Sequence, residues 1–215
     1  VGRATALELA ARGVPLALLG RPSSGLDGTA AEAGRRGARV EVVPCDASRP
    51  EQVAEAAERV LSVFGPPAVL VHNAAVIHRV PVERMTDVQW NEQLDVNLRA
   101  PFLLTRALLD AMKRARKGRI IHVSSISATL GTARASAYCA SKWGLVGFMK
   151  SLAEELTGTG LMTLAILPGS VDTAMLEGSG FPPRMTPEDV AKTISYYALE
   201  APLAHNGGVV EMFGV

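Results

Sequence analysis

Apolar residues along the chain gather in short runs of strand length, separated by longer stretches whose apolar positions recur with helical spacing. The runs lie at residues 14–19, 39–44, 68–72, 119–123, 161–167 and 209–212. Between them, residues 5–12, 50–64, 86–117 with a break before Asn97, 135–157 and 187–198 carry Ala, Leu, Glu and Arg in amphipathic helical order. Strands alternating with helices predict a parallel sheet covered on both faces, an α/β architecture of the doubly wound kind. In such a sheet ligands bind beyond the carboxyl ends of the strands. No repeat, low-complexity tract or linker interrupts the pattern, so residues 1–215 are expected to form one domain.

The residues that carry chemistry stand where strand-like runs hand over to loops or helices. Asp46-Ala47 follows the second run, Asn73-Ala74-Ala75 the third, Ser124-Ser125 the fourth and Pro168-Gly169 the fifth. Tyr138 and Lys142 are four residues apart in a helical stretch, thirteen and seventeen positions after Ser125. Positions i and i+4 share a helix face, so the Lys142 ammonium can sit beside the Tyr138 phenol and favour its ionised form. A phenol tuned in this way can exchange a proton with an alcohol or ketone. A nucleophilic serine is disfavoured, because no His stands in a triad relation to Ser125.

In this order the motifs resemble the short-chain dehydrogenase/reductase family, and the resemblance covers nearly the whole chain. Its Asn-Ala-Gly motif appears with Ala75 in place of Gly, and Asp95-Val96-Asn97-Leu98 and Pro168-Gly169-Ser170-Val171-Asp172-Thr173 follow in the family's sequence. The resemblance implies a Rossmann-like doubly wound sheet and a catalytic tetrad of Asn97, Ser125, Tyr138 and Lys142. Tyr138 would be the general acid in ketone reduction and the base in alcohol oxidation. Ser125 would bond the substrate oxygen, with Ser124 structural. Lys142 would bond the nicotinamide ribose and lower the Tyr138 pKa, and Asn97 would hold a water through the local backbone.

Cofactor positions implied by the same resemblance are Gly2, Arg21, Asp46, Ala47, Asn73, Ala74, Pro168, Gly169, Val171 and Thr173, together with Tyr138 and Lys142. Asp46 would accept from the adenine amino group, or it could cap the helix that begins near Pro50. Asn73 would bridge neighbouring strands. Arg21 stands where an acidic residue would bond the 2′-hydroxyl of NAD(H) and an arginine would receive a 2′-phosphate, so NADP(H) is favoured and NAD(H) remains possible. The chain opens at Val1-Gly2-Arg3, which resembles the last two positions of the family's Gly-x-x-x-Gly-x-Gly loop and the helix after it. The first strand and most of that loop are therefore expected to be missing, which would leave two strands with unpaired edges and a poorly stable fragment.

Composition narrows the partners. Lys+Arg 22 against Asp+Glu 21 provides no broad field for nucleic acid or an anionic membrane. The basic run Lys113, Arg114, Arg116, Lys117 and Arg119 is explained by dipole compensation at a helix carboxyl end, with an acidic carrier or nucleic acid as the other reading. Apolar stretches fall short of the ~20 residues that a membrane helix needs. Cys45 and Cys139 form neither a disulfide framework nor a metal set, and point to the cytoplasm. His72 and His122 belong in or beside buried strands, and the four histidines show no metal-binding spacing.

Pocket walls are expected at Ile126, Ser127 and Leu130, at His78 to Val80, and at Met175, Leu176 and Phe181. They are mostly apolar and suit a small-molecule carbonyl or secondary alcohol with a hydrophobic body. The short segment between Thr173 and Pro187 predicts an open pocket. A homodimer or homotetramer is implied by resemblance, through the helical stretches 98–117 and 135–157. Small Ala137, Ala140 and Gly144 would suit either a partner helix or packing on the sheet. The rival reading is a non-catalytic relative that binds nucleotide or protein.

Overall fold

The computed structural model describes residues 1–22 and 25–215. Six strands alternate with seven α-helices among them: α1 (Gly2–Ala11), β1 (Leu16–Gly20), α2 (Leu26–Arg35), β2 (Val40–Pro44), α3 (Pro50–Phe64), β3 (Val69–His72), α4 (Asp87–Leu94), α5 (Ala100–Ala115), β4 (Gly118–Val123), α6 (Ser136–Leu156), β5 (Leu161–Pro168), α7 (Pro187–Leu199) and β6 (Gly208–Met212). All ladders are parallel. β1 pairs with β2, and the remaining strands run in the order β3-β4-β5-β6. Among the described residues no ladder joins β1 to β3, so the two parallel groups are not hydrogen-bonded to each other.

Helices cover both faces. On one, Ala6, Leu7 and Ala10 of α1 and Val190, Ile194 and Ala198 of α7 pack with Ile121, Met162, Leu164 and Ile166. On the other, Leu108 and Met112 of α5 and Leu152 and Leu156 of α6 pack with Leu70, Ile120 and Leu161. Every residue of β5 is buried, which explains its unbroken apolar run in place of alternation.

Local chemistry sets the helix starts. Thr86 with Gln89 and Thr186 with Asp189 form reciprocal capping boxes at α4 and α7, and Pro50 and Pro187 occupy first-turn positions where a missing N–H costs nothing. α2 is an element absent from the sequence reading. Its ten residues include Gly28 and Gly34 and bury only Thr29 and Ala33, so no apolar stripe marks it. The expected break before Asn97 is a π-helical turn, Asp95–Arg99, that carries α4 into α5 without a loop.

The basic run ends α5 as expected: Lys113 and Arg114 lie in its last turn and Arg116 is its left-handed C-cap. Arg119 has a structural task, donating from Nη1 to the Tyr197 and Ala201 carbonyls at the end of α7. No helix of the described residues is long and apolar enough to cross a membrane, and no group of three His, Cys, Asp or Glu among them could hold a metal ion. The surface of α4, α5 and α6 has an apolar groove lined by Leu94, Leu98, Phe102 and Phe148. Gly144 is already used within the chain, since a Cβ there would approach Leu98 Cδ2 to 2.9 Å. Ala137 is fully buried, so of the three small residues only Ala140 is exposed.

His72 and His122 are register partners on β3 and β4, and their rings stack 4.9 Å apart in the core. His72 Nε2 pairs with Thr105 Oγ1 at 2.8 Å and His122 Nε2 with Thr163 Oγ1 at 3.1 Å. Burial pushes the His72 pKa down to about 3 and that of His122 well below its ordinary value. Both rings therefore stay neutral in the fold while the unfolded chain takes up protons below pH ~6.5. Stability contributed by neutral His72 is full above pH ~6.5 and falls with pH until the folded ring also titrates near 3, a loss of about 2 kcal/mol by pH 5. His122 adds a loss in the same direction. Urea melts between pH 7 and 5 should show this slope, and it should flatten in His72→Gln whatever that variant's starting stability.

Candidate active site

α6 begins just after the chain returns from β4, which brings Tyr138 and Lys142 of its first two turns over the carboxyl end of that strand. Lys142 is 1% exposed, and its Nζ donates to the Val123 carbonyl at 2.9 Å. The ammonium lies 5.6 Å from the centre of the Tyr138 ring. Burial pushes its pKa down to about 8. Tyr138 is also buried, and loss of solvation raises its pKa, opposed by the neighbouring Ser125 hydroxyl and by the charge of Arg79. Lys142 faces the Tyr138 ring and a backbone carbonyl, and with burial as the largest influence the phenol pKa lies above its ordinary value.

Ser124 and Ser125 have different partners. Ser124 Oγ donates to the Lys142 carbonyl at 3.1 Å, tying α6 to the end of β4. Ser125 Oγ accepts from Ser127 N at 3.1 Å and opens a 3-10 turn, Ile126–Ala128, which aims the hydroxyl toward Tyr138.

Asn97 sits in the π-turn with no exposed surface. Its Oδ1 accepts from Val76 N at 2.8 Å, and its Nδ2 donates to Val76 O at 2.9 Å and to Ser141 Oγ at 3.0 Å. Ser141 Oγ in turn donates to the Tyr138 carbonyl at 2.7 Å. One amide thus fastens the segment after β3 to the turn of α6 that bears the tyrosine. A π-turn shifts backbone carbonyls out of the regular ladder, a geometry suited to a water site.

The remaining predicted residues line the strand ends on the β1 side and beside β5. A Cβ on Gly2 would come within 2.5 Å of Asn73 Nδ2, so a side chain there would displace the Asn73 amide from the amino end of α1. Asp46 does not cap α3. Its Oδ1 accepts from Ser48 N at 3.0 Å and Ser48 Oγ at 2.7 Å, and these bonds hold its carboxyl below the usual range, with further help from Arg21 and Arg49. The Arg21 charge is therefore close to Asp46, at the ends of β1 and β2. Ala47 is half-buried beside Asp46, and Ala74 is exposed beside Asn73.

Pro168 ends β5. Gly169 donates to Met212 O at 2.8 Å and is hemmed in by Ile126 Cδ1, 3.3 Å from where a Cβ would stand. Val171 is buried in a parallel bridge with Met185, and Thr173 Oγ1 donates to Val171 O at 3.3 Å. These residues suit a dinucleotide. A helix amino terminus, a glycine without room for a side chain and an arginine after a strand line one cleft edge, with Gly169 at the other.

Polar contacts also stand at the mouth of the site. Arg79 Nη2 donates to the Met175 carbonyl at 3.0 Å, linking the segment after β3 to a 3-10 turn, Ala174–Leu176. His78 Nε2 pairs with Glu92 Oε2 at 2.7 Å. Beyond Met175 lies an open depression bordered by Asp172, Thr173, Leu176, Glu177 and Phe181. Arg79 had counted only as part of a wall, because no local pattern shows a contact across ninety-six residues.

Residues 1–180 match the family model described as short chain dehydrogenase. The chain is 31% identical to a 3-oxoacyl-(acyl-carrier-protein) reductase of Synechocystis sp., over 97% of this chain and 88% of that one. The structure superposes on a levodione reductase with a TM-score of 0.92 and 26% identity, covering 99% and 92% of the two chains. It superposes on a metagenomic short-chain oxidoreductase in complex with NADP with a TM-score of 0.86 and 33% identity, covering 100% and 92%.

Asn97→Ala removes three hydrogen bonds of a buried amide, two of them to the half-buried polar groups of Val76. It should cost about 2–4 kcal/mol, read as a lowered denaturant midpoint with an unchanged slope.

Proposed function

Because the chain belongs to the short chain dehydrogenase family and is an NAD(P)-dependent oxidoreductase, we propose that it moves a hydride between NADP(H) and a carbonyl or secondary alcohol, with Tyr138 transferring the proton. The observation that carries this reading is the meeting of Tyr138, Ser125 and a fully buried Lys142 at the carboxyl end of β4. When bound, the nicotinamide supplies or accepts the hydride. In the reducing direction Ser125 donates a hydrogen bond to the ketone oxygen and Tyr138 gives that oxygen its proton.

Burial keeps Tyr138 in the protonated form that this step requires, and Lys142 stabilises the phenolate left behind. Asn97 keeps α6 in register with the segment after β3 and lends its π-turn backbone to a water that returns protons. Gly2, Asn73, Ala74, Asp46 and Ala47 would hold the adenosine half of the cofactor, and Arg21 its 2′-phosphate. Pro168, Gly169, Val171 and Thr173 would hold the carboxamide, with Lys142 and Tyr138 at the nicotinamide ribose. The NADP bound to the metagenomic relative supports the preference given to Arg21.

We also assign α5 and α6 to a homodimer or homotetramer contact. The groove of Leu94, Leu98, Phe102 and Phe148, with Trp143 54% exposed nearby, supports it. Phe102→Glu should lower the molar mass measured by light scattering, and an unchanged mass would remove this face from the assembly.

Loss of absorbance at the reduced-nicotinamide band, with NADPH and a panel of ketones, tests the reaction. Tyr138→Phe should lower kcat by at least about a hundredfold. Activity equal to the parent would exclude Tyr138 as the acid. Arg21→Glu should lower kcat/KM with NADPH more than tenfold while sparing NADH. The Lys142 ammonium is present below its pKa of about 8 and lost above it, so kcat/KM for reduction should fall as pH rises through that value.

A further inference from the structure

We propose that Arg79 and Arg134 form an anion receptor at the mouth of this site, selecting carbonyl substrates that carry a carboxylate a few atoms from the reacting carbon. The inference rests on the oxidoreductase reading and names the substrate class of the same site. Two segments from distant parts of the chain converge there. Arg79 lies six residues past Asn73, where the chain leaves β3, and Arg134 lies four residues before Tyr138. Arg134 Nη2 donates to the Arg79 carbonyl at 3.4 Å, and Arg79 Nη2 donates to the Met175 carbonyl at 3.0 Å. The two side chains are thus tethered around the entrance by backbone acceptors.

Among the described residues neither guanidinium meets a carboxylate. Arg3, Arg12, Arg36, Arg49, Arg59 and Arg99 each do, whereas Arg79 and Arg134, like several other surface arginines, keep their charge unpaired by Asp or Glu. The nearby Glu92 is engaged by His78 at 2.7 Å. An arginine has five N–H donors in a rigid fork, and the bond to Met175 uses one of those of Arg79. The remaining donors match the two oxygens of a carboxylate.

Two features place this pair at the site. Arg134 has φ 61°, a left-handed turn that ends just before the helix bearing Tyr138. Arg79 is partly buried, and its charge acts on the Tyr138 phenol, so it lies within electrostatic reach of the reacting oxygen. A carboxylate on Arg79 would seat the neighbouring carbonyl toward Ser125 and Tyr138, while the open depression beyond Met175 takes the rest of the molecule.

The test compares 2-, 3-, 4- and 5-oxo acids with their methyl esters, using NADPH. At one chain length or more, kcat/KM for the acid should exceed that for the ester at least tenfold. That acid-to-ester ratio should fall at least tenfold in Arg79→Gln, recover in part in Arg79→Lys, and fall less in Arg134→Gln. The ratio does not depend on how much of a variant folds. Acids no better than esters at every length, or a ratio unchanged by Arg79→Gln, would overturn the receptor. Calorimetric titration with glutarate and with dimethyl glutarate separates it from the reaction itself. If no ketone is reduced, the oxidoreductase reading fails, and the receptor then stands on glutarate binding that Arg79→Gln abolishes and falls if no such binding is found.

Discussion

A primary amine shut away from water at the end of β4 is the constraint around which the rest of the site is arranged. An ammonium in that place loses its hydration, and the Val123 carbonyl, the face of the Tyr138 ring and the close fit of α6 on the sheet compensate only in part. The amine is therefore poised to lose its proton near pH 8 rather than 10.5. The structure accepts this cost because α6 is anchored elsewhere, by Ser124 on the Lys142 carbonyl and by the apolar seam of Leu152 and Leu156.

Tyr138 depends on the same arrangement. Its neutral phenol follows from burial, and the groups that oppose burial reach it from two directions: Ser125 from the end of β4, and Arg79 from the segment after β3. That segment is fixed by Asn97 through both polar groups of Val76, and Asn97 also reaches α6 through Ser141. The segment after β3 and the helix turn bearing the acid are thus joined through one buried amide. The parallel sheet makes this possible by bringing every strand's carboxyl end to one side.

Much of this was legible in the residues. Strands such as Leu161–Pro168 are apolar throughout because both faces are covered, and α4 and α7 announce themselves with capping boxes. α2 was not legible, since two glycines and a polar surface leave only Thr29 and Ala33 to face the core. The π-turn at Asn97 read as a break because one extra residue in a helix shifts the apolar phase without leaving a loop signal. Asp46 fitted two local roles on paper, and its bonds to Ser48 exclude the helix cap.

The alternation of strands with most of the helices, the family resemblance, and the positions of Tyr138, Lys142, Ser125 and Asn97 come from the sequence alone, because periodicity and motif spacing are local along the chain. Tertiary structure decided how those groups behave. The phenol pKa moves up because burial outweighs the neighbouring Ser125 hydroxyl and the charge of Arg79. Arg79 reaches the mouth because it and Met175, ninety-six residues apart, meet only when the strand ends are brought together. Solvation and long-range contact depend on which segments become neighbours, and no spacing within one segment encodes them.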